Sequence, residues 1–259
     1  MVKINDNCIG CGLCIDDCIS EAITLMEGRA QVTRPCLECG HCYAVCPAGA
    51  PEISDVDMED VEELNPSAFV NIEALLHTIK GRRSIRKYQN KKIEEEKLDL
   101  ILEAGRYTAT AVNYQDLRFI VVQERLGEFK DLIWKGLTEM AKSPQEHPDI
   151  ERYAGHLKKK AKDPANDYLF RNAPAIIFVV TDRVLDAGLA AQNMELAAVA
   201  QGLGVMYNGY MTRAANMVPG ALEWLQTEGR TVVACMLAGY PAVHYLRTAP
   251  RKKADVIKK

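Results

Sequence analysis

Two stretches near the N-terminus share one spacing of cysteines. Residues 8–18 read CIGCGLCIDDC, and residues 36–46 read CLECGHCYAVC, followed at once by Pro47. Each stretch has the order C-x2-C-x2-C-x3-C, so eight of the nine cysteines in the 259-residue chain belong to this repeat. Cysteine thiolates are soft metal ligands, and three at such short intervals can wrap one corner of a metal–sulfur core. The repeat therefore predicts a metal-binding module at this end of the chain.

The spacing resembles that of bacterial ferredoxins, which bind two 4Fe–4S clusters and use the last cysteine of each run on the other cluster. The small residues Gly10, Gly12 and Gly40 suit loops that curl with their amides toward sulfur. Ile19 stands where the second run has Pro47, a difference that alters packing beside a cluster without removing a ligand. The resemblance implies the ligand sets Cys8, Cys11, Cys14 and Cys46 for one cluster, and Cys36, Cys39, Cys42 and Cys18 for the other.

Zinc and disulfides are the alternatives for these cysteines. Zinc ribbons use paired C-x2-C units without a third cysteine at the same interval. Disulfide frameworks are typical of secreted chains, whereas residues 1–7 lack the apolar stretch of a signal peptide. The sequence therefore favours iron–sulfur clusters and a cytoplasmic protein. The ninth cysteine, Cys235, lies in the apolar run 231–237, which predicts a buried strand with an inert thiol.

Length and composition divide the chain into three parts. We expect a ferredoxin-like domain over residues 1–50, an acidic linker over 51–68 and one well-cored domain over 69–259. The net charge of −3 and the isoelectric point near 6.0 indicate no general affinity for nucleic acid. Apolar stretches such as 173–180 are shorter than a membrane span, so no membrane insertion is expected.

The long C-terminal part alternates helical and strand patterns. No G-x-x-x-x-G-K-[ST] occurs, and no G-x-G-x-x-G follows a strand, so a dedicated dinucleotide-binding domain is not expected. The sequence does not exclude a weaker NAD(P)H site formed over a flavin. Apolar spacing predicts helices near 72–79, 93–102, 126–140 and 185–203, and strands at 117–122, 173–180 and 231–238.

A second motif, GRRSIRKY, occupies residues 81–88 directly after a predicted helix. Arginine binds phosphate through two parallel hydrogen bonds, and serine adds a neutral donor. Arg82, Ser84 and Arg86 therefore form a candidate anion cradle. The alternative is a basic helix end that complements the helix dipole.

This motif and those that follow resemble the nitroreductase family of FMN-dependent enzymes over residues 70–255. Thr108–Val122 matches the polar loop and strand of the family, although Asp116 and Leu117 replace its usual Pro-Trp pair. Further similarities are Asn172–Ala173–Pro174, the helix segment 190–194, the turn 202–204, Gly239–Ala242 and the tail Arg247–Arg251.

The resemblance implies a homodimer with FMN at its interface, and an α+β sandwich fold preceded by the small ferredoxin-like domain. Arg82, Arg83, Ser84, Arg86 and Arg247 would hold the FMN phosphate. The ring and ribityl region would contact Asn113 and Gln115, and the segment Tyr207, Asn208 and Gly209 would run past the ring with a backbone amide near N5.

The two halves together predict an iron–sulfur flavoprotein oxidoreductase. Clusters carry single electrons and FMN stores two, so the expected path runs from a low-potential donor through both clusters to FMN and a small organic acceptor. The donor would be ferredoxin or NAD(P)H, and the acceptor a nitro, quinone or enone compound. The alternatives are a reductase of free flavins and a non-catalytic electron-transfer partner. The segment 142–170 is expected to cover the substrate side, with Tyr153, Tyr168 or Phe170 as lining.

Overall fold

The computed structural model describes residues 1–259, which form two compact units. The first contains Met1–Phe69 together with the short segment Thr110–Tyr114. The second contains Val70–Ala109 and Gln115–Lys259. No helix combines the length and the apolar character that crossing a membrane requires.

The first unit is built from two antiparallel strand pairs and two one-turn helices. Strand β1 (Val2–Ile4) pairs with β4 (Pro51–Ile53), so the segments that flank the two cysteine runs lie side by side. The hairpin β2 (Ile23–Met26) and β3 (Arg29–Val32) forms the other pair. Helices α1 (Leu13–Asp16) and α2 (His41–Ala44) lie inside the two cysteine runs. Strand β4 uses residues that the sequence assigned to the start of the linker.

The two cysteine runs have the same local structure. Gly12 precedes α1 with φ of 84°, and Gly40 precedes α2 with φ of 78°, a left-handed conformation that favours glycine. Cys14 and Cys42 follow at equivalent helix positions, and each is 8% exposed. The repeated spacing therefore produces a repeated loop, with one buried cysteine in each copy.

The second unit is a four-stranded antiparallel sheet between two layers of helices, which confirms the expected α+β sandwich. The strand order is β5 (Arg118–Val122), β6 (Ala175–Val180), β8 (Val232–Gly239) and β7 (Gly204–Tyr207). All six residues of β6 are buried. Ile176 and Phe178 face one helix layer, and Ile177 and Val179 face the other. Cover on both faces explains why this strand reads as a continuous apolar run.

The helices divide between the two faces of the sheet. Helices α5 (Leu126–Met140), α8 (Gly209–Met217) and α9 (Ala221–Trp224) pack on one face, and α4 (Glu95–Arg106) and α7 (Val184–Ala200) pack on the other. The remaining helices are α3 (Ile72–Gly81) and α6 (Ala154–Lys162). The predicted helices and strands are confirmed to within a few residues, whereas α6, α8, α9 and β7 had not been predicted.

The arginine motif is anchored to the β7 edge of the sheet. Ser84 forms a parallel bridge with Val205, and the Ile85 amide donates to the Val205 carbonyl at 3.0 Å. Ile85 is buried, and the Tyr88 hydroxyl donates to the carbonyls of Ile85 and Leu237. These inward side chains fix the segment and leave Arg86 and Lys87, which lie between them, exposed.

This anchoring requires a residue without a side chain at position 204. A Cβ atom on Gly204 would lie 2.2 Å from Cγ1 and 3.0 Å from Cβ of Ile85. Because one of these atoms adjoins the backbone, the arginine segment itself would have to shift. Gly204 therefore sets how closely residues 84–86 approach the sheet.

We predict that Gly204→Ala destabilises the protein by about 1–3 kcal/mol through overpacking. Gly188→Ala is the matched control, because this α7 position is exposed with no atom within 4 Å of an added Cβ. Removing a helix glycine there is expected to stabilise by up to about 1 kcal/mol. Urea unfolding of both variants measures the difference, and equal midpoints would contradict the packing role of Gly204.

Candidate functional site

The structure brings four cysteines from both runs to one cavity in the first unit. Cys8, Cys11, Cys14 and Cys46 line it, which is the first ligand set implied by the ferredoxin resemblance. The other lining residues are predominantly apolar. No group of three His, Cys, Asp or Glu side chains lies close enough to hold a single metal ion. Four thiols around one cavity that do not meet at one ion suit a polynuclear core better than a zinc ion.

The second set of cysteines lies beside the first. The Cys42 thiol interacts electrostatically with Cys36 and Cys39, and also with Cys14 of the first set. Burial raises the pKa of Cys42 to about 11 and raises that of Cys14 as well. Metal coordination deprotonates a thiol outright, so coordination to a cluster outweighs the effect of burial on these pKa values.

Backbone amides point at the sulfur atoms in both copies of the repeat. The Ala22 amide donates to Cys18 Sγ at 3.3 Å, and the Ala50 amide donates to Cys46 Sγ at 3.4 Å, four residues on in each case. The Ala30 amide donates to Cys8 Sγ at 3.4 Å, and hydrogen bonds from Ala30 and Gly10 lower the pKa of that thiol. Such donors stabilise negative charge on cluster ligands.

One hydrogen bond breaks the symmetry between the copies. Ser20 Oγ lies 3.5 Å from Cys18 Sγ, whereas Ala48 occupies the equivalent position two residues after Cys46. Burial opposes ionisation of Cys18, but the Ser20 hydroxyl and the Ala22 amide outweigh it and lower the pKa of the thiol. Serine therefore adds a hydroxyl donor at the second set that alanine cannot supply at the first.

The arginine motif lines a second cavity, in the other unit. This cavity has a volume of about 160 Å³. Arg83 also lies over the Tyr245 ring, with its Cζ 5.2 Å from the ring centroid. Arg251 joins the cavity from the C-terminal tail, and Arg247, which the sequence had assigned to the phosphate, is not among its lining residues. The lining consists of Arg82, Arg83, Ser84, Arg86 and Arg251.

A buried carboxylate, which sequence reasoning missed, contacts this motif. Glu195 on α7 is 1% exposed, and its Oε1 lies 3.2 Å from Arg82 Nη1. The Gln192 amide donates to Glu195 Oε2 at 3.3 Å. Burial raises the pKa of Glu195, while the charge of Arg82 opposes that rise. The position of this acid among the small apolar residues of α7 was a signal of a buried carboxylate, although not of its partner.

Two predicted flavin contacts fall in different units. Asn113 lies in the first unit, where its side-chain amide donates to the Glu38 carbonyl at 3.0 Å. Glu38 sits between Cys36 and Cys39, so Asn113 contacts a cysteine loop. Gln115 lies in the second unit. Val112, Asn113 and Gln115 all have positive φ, so the loop makes a tight left-handed turn here.

The segment 207–209 joins β7 to α8. Asn208 caps α8, because its side chain accepts from the Met211 amide at 3.0 Å and donates to the Leu169 carbonyl at 2.7 Å. Its backbone amide donates to the Cys235 carbonyl at 2.8 Å. The Tyr207 hydroxyl donates to the Ala191 carbonyl, and burial raises its pKa. The side chain and backbone amide of Asn208 are therefore occupied by hydrogen bonds within the protein, and Gly209 is the first residue of α8.

The predicted substrate-side aromatics separate by burial. Tyr153 and Phe170 are fully buried and belong to the core, whereas Tyr168 is 40% exposed. Tyr168 lines a cavity of about 570 Å³ together with Arg86 and Arg171. Cys235 is also buried, as its apolar strand predicted, and burial raises the pKa of its thiol well above the ordinary value.

Comparison with protein families identifies both parts of the chain. The nitroreductase family model matches residues 79–240, and the 4Fe-4S dicluster domain model matches residues 7–51. The chain belongs to the nitroreductase family and carries an N-terminal 4Fe–4S dicluster domain. It is an oxidoreductase of the nitroreductase type.

A curated relative from Methanothermobacter thermautotrophicus, provisionally named an NADH dehydrogenase/NAD(P)H nitroreductase, is 33% identical over 144 residues. The match covers 52% of this chain and 60% of that relative. A Bacteroides fragilis nitroreductase with bound FMN is 26% identical with a TM-score of 0.58, and the match covers 73% of this chain and 98% of that structure. A Desulfitobacterium hafniense nitroreductase with bound FMN shares the fold at 24% identity and a TM-score of 0.56, covering 73% of this chain and 100% of that structure.

We predict that Ser20→Ala lowers the reduction potential of the cluster that Cys18 serves. Losing one neutral hydrogen bond of about 0.5–1.5 kcal/mol corresponds to roughly 20–65 mV for one electron. The reciprocal variant Ala48→Ser adds a hydroxyl beside Cys46 and should raise the potential of the other cluster. A redox titration of the intact protein followed by electron paramagnetic resonance measures both values. Unchanged potentials in both variants would contradict a tuning role for the hydroxyl.

Proposed function

We propose that the protein passes electrons from a low-potential donor through two 4Fe–4S clusters to FMN, and from FMN to a small organic acceptor such as a nitro compound, quinone or enone. The observation that carries this path is the course of the chain at 110–115. Thr110–Tyr114 pack with the cysteine-bearing unit, and the next residue, Gln115, belongs to the second unit. The loop expected to reach the flavin is thus continuous with a segment that contacts a cysteine loop.

The arginine cavity is the proposed site of the FMN phosphate. When bound, FMN supplies the exchange between single electrons and electron pairs. Arg82, Arg86 and Arg251 bring fixed guanidinium donors that match phosphate oxygens, and Ser84 adds a hydroxyl. Glu195 lies in the core and offsets part of this positive charge. Its Oε1 contacts Arg82 Nη1 and so helps to orient the Arg82 side chain. The cavity therefore keeps a net positive charge in a defined geometry.

The start of α8 is the proposed contact for the flavin ring. The backbone amide of Asn208 already donates to the Cys235 carbonyl. A backbone amide that contacts the flavin ring must therefore belong to a residue after Asn208. Gly209 is the first residue of the helix, where amides have no acceptor within the helix. Gly209 also has no Cβ, so a planar ring can approach its backbone closely.

An aromatic surface beside these positions is the proposed acceptor side. His156 has its ring centroid 4.8 Å from Tyr210 and 5.6 Å from Tyr168. Lys159 Nζ and Arg171 Cζ lie 3.8 Å and 3.6 Å from the centre of the Tyr168 ring. Tyr210 directly follows Gly209, so this surface begins at the proposed ring contact. Flat aromatic rings flanked by cations favour a planar acceptor that carries or develops negative charge.

We also propose that the protein works as a homodimer. Helix α3 has no buried residue, although Ile72, Leu75, Leu76 and Ile79 form an apolar face. These side chains are 36–57% exposed in the single chain. The apolar face of an amphipathic helix is normally buried against another part of the protein. A second copy of the chain would bury the apolar face of α3.

We predict that Arg86→Ala weakens FMN binding by roughly ten- to a hundredfold, because one charge-assisted hydrogen bond contributes about 1.5–3 kcal/mol. Arg251→Ala should have a similar effect, and Arg247→Ala a smaller one. Arg152→Ala is the control, because this exposed arginine pairs with Asp149 away from the cavity. Fluorescence titration of the flavin-free protein gives the affinities. Full FMN affinity in both Arg86→Ala and Arg251→Ala would show that the FMN phosphate does not bind in this cavity.

The path through the clusters is tested with Cys39→Ser. We expect this variant to lose flavin reduction by reduced ferredoxin. High salt is used in the assay to screen repulsion between an acidic ferredoxin and the acidic residues 51–68. Direct photoreduction of its FMN should continue, because the arginine cavity lies in the other unit. Iron and FMN contents are determined on the same sample. A wild-type rate of ferredoxin-driven flavin reduction in the variant would show that electrons bypass the clusters.

A further inference from the structure

The two units of the chain carry opposite charge. Residues 1–69 contain 13 Asp and Glu against three Lys and Arg, a formal net charge of −10. Residues 70–259 contain 22 Asp and Glu against 29 Lys and Arg, a formal net charge of +7. The overall charge of −3 conceals this asymmetry. A protein that approaches the cysteine-bearing unit meets a strongly acidic surface.

One cysteine on this unit reaches the surface. Cys11 is exposed, whereas each of the other eight is buried or partly buried. Cys11 lines the cavity shared with Cys8, Cys14 and Cys46. The sulfur of Cys11 is therefore the outermost point of the first ligand set.

Apolar side chains surround this point, and we call Ile9, Leu13, Leu25 and Met26 the Cys11 collar. Ile9 and Leu13 line the cavity and are 68% and 47% exposed. The loop before Cys11 lies on the β2–β3 hairpin, since an added Cβ on Gly10 would sit 2.2 Å from the Gly28 carbonyl oxygen and 3.9 Å from Leu25 Cδ1. Leu25 and Met26 are 52% and 46% exposed on that hairpin.

Acidic residues accompany the collar in sequence and space. Asp16 and Asp17 end the helix that begins at Leu13, and Glu27 forms the turn directly after Met26. Asp6 pairs with Arg29 on the same hairpin at 2.6 Å. The surface thus has an apolar centre and a predominantly negative rim.

We propose that the Cys11 collar is the docking surface for a redox protein whose own docking face is basic. The apolar centre removes water around Cys11 and shortens the distance to the partner's redox group, while the acidic rim steers a cationic surface into place. Each encounter transfers one electron between the partner and the first cluster. One of them is oxidised and the other reduced by one electron, and no proton moves. The surface serves transfer in either direction.

This inference extends the proposed function, but it concerns only the first cluster. It selects among protein donors, because an acidic ferredoxin would be repelled at low salt and a basic carrier would be attracted. Acidic and basic probes therefore distinguish the proposed docking surface from a charge-indifferent one.

The test uses the intact, cluster-loaded protein after anaerobic reduction, with oxidised cytochrome c as the basic probe and oxidised plant-type ferredoxin as the acidic probe. Stopped-flow absorbance of the clusters gives the second-order rate of electron transfer. Because the two probes differ in reduction potential as well as in charge, the salt dependence of each rate is compared. We expect the cytochrome c rate to fall at least about tenfold as salt is added and the ferredoxin rate to rise. Rates independent of salt for both probes would overturn the proposal.

Ile9→Lys and Ile19→Lys form a matched pair for locating the surface. Ile9 precedes the first set's loop, and Ile19, which is 86% exposed, directly follows Cys18 of the second set. Both changes add the same charge to an exposed isoleucine beside a cysteine. Ile9→Lys should slow cytochrome c at least about tenfold, and Ile19→Lys by less than about twofold. Equal slowing by both would contradict a docking surface at Cys11.

Iron content and cluster potentials confirm that both variants keep their clusters. Because cluster oxidation is followed directly, the result stands whether or not the flavin exchanges electrons with the clusters. Normal docking with a failed flavin relay would refute the proposed function alone, and normal flavin reduction without charge selectivity would refute the docking surface alone.

Discussion

The convergence of Cys46, from the second run, on Cys8, Cys11 and Cys14 of the first run is the constraint on which the first unit depends. The strand pair β1–β4 allows this convergence, because it returns Pro51–Ile53, just after Cys46, to Val2–Ile4, just before Cys8. The resulting hydrophobic core is small, with few large side chains. A unit of this size gains much of its stability from what its cysteines bind. In the same unit Cys11 lies at the surface, and a backbone amide donates to each of four other sulfur atoms, those of Cys8, Cys18, Cys36 and Cys46.

The second unit holds several arginine side chains close together despite their like charges. Ile85 and Tyr88 bind the arginine segment to the sheet edge, and Gly204 permits the close approach. Glu195 offsets part of the charge without leaving the core. Ile85 and Tyr88 anchor the segment as neutral, buried groups, while Arg86 between them stays exposed beside the cavity. The arrangement favours a phosphate over any neutral ligand.

Strong local patterns made most of the fold predictable. The cysteine spacing, the apolar run of β6 and the 3.6-residue period of α5 each depend on neighbours in sequence. Strand β7 was missed because its four residues are too few to show alternation, and its place is set by pairing with β8. The partners of Arg251 and Glu195 could not be assigned from sequence, since the residues that meet are more than one hundred positions apart. Asn113 illustrates the same limit, because the family pattern alone does not reveal its hydrogen bond to Glu38.

The central claim is that an electron on the clusters reaches the flavin within one molecule. Laser-flash photoreduction of the intact protein, at less than one electron per chain, tests it most directly. The account predicts that cluster absorbance recovers as flavin absorbance changes, at one shared rate that does not depend on protein concentration. Clusters that stay reduced while the flavin remains oxidised would contradict the relay. A rate proportional to protein concentration would do so as well, because it would show that the electron travels between molecules.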